Sequence, residues 1–139
     1  MGSTYIEYRG RGFEANDGIT ELWLSLLVDE IDALSDIPPW LREAREDWEV
    51  QAREGFNFGS DPHLDRFVTE QARHDAMATL CRRIFDRFAS HGEMLSADQL
   101  NEMSHMPRES GHFTRELPTS MFIEFGRQML DLLKRPESA

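Results

Sequence analysis

Asn16-Asp17-Gly18-Ile19-Thr20-Glu21-Leu22-Trp23-Leu24-Ser25-Leu26-Leu27-Val28-Asp29-Glu30-Ile31-Asp32-Ala33-Leu34 is the stretch whose reading decides the fold class. Ile19, Leu22, Trp23, Leu26, Leu27, Ile31 and Leu34 recur at helical spacing and form one broad apolar face, the mark of a core helix. Asn16 or Asp17 can cap its first turn, and Glu21 lies toward the positive end of the dipole. Asp29, Glu30, Asp32 and Asp36 crowd the other end, where each opposes the dipole by a few tenths of a kcal/mol, to order of magnitude about 0.3.

Beyond this helix, Pro38 and Pro39 break the chain, and Pro39 suits the first turn of a second helix from about Trp40 to Glu54, with Gly55 as its stop. Its apolar stripe is thin (Leu41, Ala44, Trp48, Ala52) and charged residues surround it, so it reads as peripheral. After the link Phe56-Asn57-Phe58-Gly59-Ser60, Asp61-Pro62 opens a third helix. Leu64, Phe67, Val68, Met77, Leu80, Cys81, Ile84, Phe85 and Phe88 carry it almost to Gly92, about 40 Å of central spine, weakest between Glu70 and Asp75, where a kink is expected. Ser96-Ala97-Asp98-Gln99 matches a capping box and starts a short helix toward His105. Pro107 ends it, and residues 108–118 form the longest irregular stretch, a natural place for a functional loop. A last helix from Thr119 to Lys134 is expected to bury Met121, Phe122, Phe125, Met129, Leu132 and Leu133 before Pro136 stops it.

On the N-terminal side, Thr4, Ile6 and Tyr8 alternate with Tyr5, Glu7 and Arg9 in a short strand closed by Gly10 and Gly12. A lone strand needs a partner, and His112-Phe113-Thr114-Arg115 is the later candidate unless the segment lies across the helices. The expected architecture is mainly α: one domain over residues 1–139, a bundle of about five helices around one long central helix, with a short N-terminal strand.

Composition agrees with a chain that folds by itself, with 40% apolar and 29% charged residues over 139 positions. Cys81 is the only cysteine, which excludes an intrachain disulfide and fits a reducing compartment. The absence of an apolar run of membrane-spanning length or a signal-peptide pattern points to a cytoplasmic protein without a membrane partner. Fifteen basic against 26 acidic side chains give a net charge of −11. The excess is local: residues 14–54 hold 12 acids against Arg42, Arg45 and Arg53, a net −9. Such a field repels phosphate backbones, which argues against nucleic acid as a partner, and steers basic proteins inward.

Catalytic chemistry finds little support in the residue pattern. His63, His74, His91, His105 and His112 are scattered without metal-ligand spacing. Cys81 lies on an apolar stripe and reads as core, and Gly10-Arg11-Gly12 lacks the lysine and hydroxyl residue of a phosphate loop. No cofactor motif is recognisable. Asp29, Glu30, Asp32 and Asp36 offer oxygen ligands but without the glycine-punctuated loop of a calcium site. The methionines and phenylalanines after residue 90 read as core filling or as an adaptable groove. Trp40 and Trp48, eight residues apart on an acidic helix, read as core anchors or as a hot spot for a partner.

Tyr8-Arg9-Gly10-Arg11-Gly12-Phe13, Asn16-Asp17 and Glu21-Leu22-Trp23-Leu24 resemble the start of small acidic bacterial immunity proteins of polymorphic toxin systems. The resemblance implies tight, non-catalytic binding to one cognate toxin, commonly by blocking its active site, and carries over no functional residue. Together with the charge pattern it leads to the expectation of a protein-binding module rather than an enzyme, an inhibitor of a basic, nuclease-like toxin. Its contacts are expected from Asp29, Glu30, Asp32, Asp36, Glu43, Glu46, Asp47 and Glu49, with Trp40 or Trp48 as apolar anchor. Two alternatives stay open: a self-associating structural or regulatory protein that buries the Trp-bearing face in a homodimer, and a small metal-dependent hydrolase built on His91, His105 and His112.

Overall fold

A computed structural model describes residues 2–54, 60–106 and 113–134. In order, the elements are β1 (Ser3–Tyr8), β2 (Arg11–Asn16), α1 (Asp17–Asp32), α2 (Pro39–Glu54), α3 (Leu64–Phe67), α4 (Gln71–Ala89), β3 (Met94–Leu95), α5 (Ala97–Met103), β4 (Leu117–Pro118) and α6 (Thr119–Leu133). The protein is mostly helical, and two small antiparallel sheets, β1–β2 and β3–β4, make it more than a bundle of helices.

The N-terminal strand finds its partner next door rather than at residues 112–115. Tyr8 pairs with Arg11 and Ser3 with Asn16, closing a hairpin around Arg9-Gly10. Both turn residues have positive φ (52° and 80°), the requirement of the tight turn that matches strand twist. Gly12 is needed for a different reason. A Cβ there would meet the Ile6 carbonyl oxygen and come within 2.8 Å of the Tyr5 ring. Ile6 and Tyr8 point into the core while Tyr5 stays exposed, as strand alternation demands.

The hairpin runs straight into α1, whose Asn16 side chain accepts the amides of Gly18 and Ile19. α1, not the third helix, is the spine: every residue from Thr20 to Val28 is buried, and α2, α4, α5, α6 and β2 all touch it. Burial on nearly every side is eased because its two hydroxyl side chains bond within the helix. Thr20 Oγ1 donates to the Asn16 carbonyl and Ser25 Oγ to the Glu21 carbonyl.

The expected long third helix is two helices. α3 ends at Phe67, and the chain passes through Val68 and an extended Glu70 before α4 begins at Gln71. Side chains claim the carbonyls that a continuous helix would have used: the Tyr8 hydroxyl donates to the Val68 oxygen at 3.0 Å and Arg73 to the Phe67 oxygen at 3.2 Å. The break lies at the near edge of the expected kink.

α4 packs on α6 and both pack on α1. Phe88 and Phe122 stack at 5.0 Å, and Trp23 meets Phe125 at 5.2 Å. Gly126 permits this approach, since a Cβ there would lie 2.9 Å from both Trp23 and Phe85. On α6, Phe122, Phe125, Met129, Leu132 and Leu133 are buried as expected, but Met121 is exposed because it projects from the flank opposite the cleft-lining Ser120 and Ile123. α5 carries the full capping box, with Ser96 and Gln99 each serving the other's backbone amide. Cys81 is enclosed in the core, where burial pushes its thiol up to about 12. None of the helices among the described residues is long and apolar enough to cross a membrane.

Candidate functional site

α1 and α2 meet along a seam that brings together Asp29, Asp32 and Glu49, three of the acidic residues singled out in the sequence. Two of the dipole-opposing acids at the end of α1, Asp32 and Glu30, are offset by arginines brought from other helices. Asp32 accepts a bidentate pair from Arg45, Nε at 2.7 Å and Nη2 at 2.9 Å, and the guanidinium hydrogen bonds hold its carboxyl below the usual range. Glu30 faces Arg87 at 3.3 Å and Arg83 at 4.0 Å, both on α4. Asp29 lies 2.8 Å from Nε2 of His105, whose Nδ1 lies 2.7 Å from Glu49 of α2. The backbone amide of His105 also donates to Ser25 Oγ, which anchors the ring between the two helices.

His105 thus bridges α1 and α2 through carboxylates at opposite ends of one imidazole. A carboxylate only accepts hydrogen bonds, so both are made only when both ring nitrogens carry protons. The same geometry opposes a shared metal ion, because the acids sit on different nitrogens. Among the described residues no group of three His, Cys, Asp or Glu side chains is disposed to hold a metal.

On α2, Glu43 pairs with Arg66 at 3.2 Å, and Asp47 receives His63 Nδ1 at 2.9 Å and the Gln51 amide at 2.9 Å. Asp36 and Glu46 are exposed and form no hydrogen bond or ion pair among the described residues. The two tryptophans separate sharply. Trp48 is a core residue, fully enclosed, edge-on to Phe67 and donating from Nε1 to the Pro62 carbonyl at 2.8 Å, so it cannot serve as a surface anchor. Trp40 is half-buried beneath the Arg73 guanidinium, 5.2 Å from the ring centroid, and keeps one edge in solvent. Of the ten proposed contacts, the structure therefore spends Asp29, Glu30, Asp32, Glu43, Asp47 and Glu49 on internal partners and leaves Asp36, Glu46 and the edge of Trp40 free of such pairing.

Sequence reading missed Val50, which is 45% exposed on the outer side of α2. The signal available was an isolated β-branched residue off the apolar stripe. It also missed the polar cluster beneath the hairpin. Thr4 Oγ1 donates to Asp17 at 2.7 Å, Ser60 Oγ to Glu21 at 2.9 Å, and the Ser60 amide reaches Asp17 and Thr4 at 3.4 and 3.3 Å. Burial, tempered by the Ser60 hydrogen bond and reinforced by the charge of Asp17, raises the Glu21 carboxyl to about 7.

The two described histidines of the metal-enzyme alternative lie in different surroundings. His105 sits in the α1–α2 seam, while His91 lines an open, mainly apolar cleft of about 610 Å³ with Glu93, Met94, Pro118, Thr119, Ser120 and Ile123. Residues 108–112 of the 108–118 loop, His112 among them, and the Phe56–Phe58 pair lie outside the described residues. Comparison of the chain with protein-family models, curated proteins and solved structures finds no match.

Proposed function

We propose that the protein is a non-catalytic protein-binding module, an immunity-type inhibitor that neutralises a basic toxin, such as a nuclease, through its acidic surface. The observation that carries this reading is the fixed scaffold beneath the acids. Trp48 seats α2 in the core, and the Arg45–Asp32 pair and the His105 bridge lock it to α1. Carboxylates held on a rigid surface lose little freedom on binding, and the surrounding negative field speeds capture of a cationic partner. The self-associating alternative has less support, because Trp48, one of the two tryptophans it would bury in a homodimer, packs in the chain's own core.

The test is retention of binding partners from the native lysate at low and high salt, followed by co-expression of the recovered protein with and without this one. Recovery of a basic protein whose toxicity is relieved by co-expression, with retention weakened by salt, is the expected result. Recovery of the protein alone, or of a partner that is neither basic nor salt-sensitive, overturns the proposal.

A further inference from the structure

The outer face of α2 carries a feature its packing does not use. At about 100° per residue, the buried stripe Leu41, Ala44, Trp48 and Ala52 occupies one side of the helix, and Val50 projects almost directly opposite. Glu46 and Glu54 flank it one turn before and after, Arg53 lies beside it, and Glu43 lies two turns before; all are exposed. A β-branched residue at such a position gains little from burial and gives up some helix propensity. Glu46 and Glu54 form no hydrogen bond or ion pair among the described residues, and the Glu43–Arg66 pair is largely exposed on both sides, so a competing cation can displace it at little cost.

We infer that this face, centred on Val50, is the docking surface for a cationic protein partner, an apolar side chain of the partner resting on Val50 while its arginines or lysines meet Glu43, Glu46 and Glu54. The inference rests on the proposed binding of a basic partner and adds where that partner sits. Charge complementarity selects the occupant: three carboxylates surround the valine, and Arg42 and Arg53 mark the directions in which a cationic surface is repelled. The seam acids Asp29, Asp32 and Glu49 already accept hydrogen bonds from His105 and Arg45, which occupy part of their acceptor capacity and make them weaker sites for a cationic partner than Glu46 and Glu54.

The test is an NMR titration of the full chain, observing backbone amides and valine methyls, with two synthetic peptides of equal length: an amphipathic arginine–leucine peptide and an all-arginine peptide. Both are expected to shift the Val50 methyls and the amides of Glu43, Glu46 and Glu54, with the effect lost on adding salt and Asp29 and Glu49 unmoved. The arginine–leucine peptide should bind about fivefold tighter, the share expected from partial burial of one valine, and Val50→Ser should remove that advantage while leaving all-arginine binding unchanged. Shifts confined to another surface, or an advantage that survives Val50→Ser, overturn this docking face but leave a basic partner in place. No shift with either peptide at low salt overturns the binding of a basic partner itself.

Discussion

α1 and α2 are both 16-residue helices packed against each other, yet they are built on opposite principles. α1 is buried over most of its circumference and depends on other elements to neutralise the acids at its end. α2 is buried along a single stripe, spends Arg45 and Glu49 on the seam and turns Glu43, Glu46, Arg53 and Glu54 outward. The difference teaches that an acidic residue's role in this chain is set by which helix face it occupies rather than by the local density of charge. Asp29, Asp32 and Glu49 belong to a structural seam; Glu46, three residues from Glu49, belongs to the solvent.

Substitution at the two tryptophans of α2 breaks or sustains this contrast with the largest effect. Trp48→Ala removes an enclosed indole and its hydrogen bond to Pro62, and should cost about 4 kcal/mol in urea unfolding. Trp40→Ala loses partial packing and a cation–π contact with Arg73, and should cost about 1 kcal/mol. Equal losses at the two positions would mean that α2 is not seated along one stripe.

The next effect lies in α1. Glu21 has a folded pKa of about 7 against an ordinary 4.5. The native state therefore holds a proton that the unfolded chain has released between these values, so the stability contribution is full below pH 4.5 and is lost as pH rises through 7. Glu21→Gln keeps an acceptor for Ser60 and carries no charge. It should raise stability at pH 8 relative to the wild type, by at most about 3 kcal/mol, with little change at pH 4.5. Unfolding curves at the two pH values decide it, and an equal change at both would refute the assignment.

His105→Gln probes the seam between the helices. Glutamine cannot place donors on both Asp29 and Glu49, so one carboxylate loses its partner to solvent, at a cost of about 1 kcal/mol because the site is partly exposed. A double-mutant cycle with Glu49→Gln should show coupling, and strict additivity would remove the bridge from the account.

How much of this was legible in the sequence follows the range of each interaction. The Asn16 cap, the Leu41–Ala44–Trp48–Ala52 stripe and the Ser96–Gln99 capping box are set by neighbours within a few turns, and they stand where the spacing puts them. The break before α4 does not, because it depends on a tyrosine 60 residues away. The hairpin was hidden by Arg9, a residue that sequence patterns do not favour at positive φ, although its amide is held by Asp65. The acids were recognisable by type, but their division into paired and unpaired was not, since His105 is 76 residues from Asp29 and 56 from Glu49.

The smallest expected effect is the sharpest test of that division. Glu46→Arg reverses an exposed charge that bonds to nothing in the described residues, so stability should change by less than about 0.5 kcal/mol. Asp32→Arg is the same reversal in the seam. There it confronts Arg45 with a like charge and strands its two hydrogen bonds, so it should cost more than Glu46→Arg in the same urea measurement. If the two reversals cost the same, pairing with Arg45 adds nothing and the seam is only surface. If Glu46→Arg is the silent one, Glu46 has no duty in the fold, as its proposed role toward a partner requires.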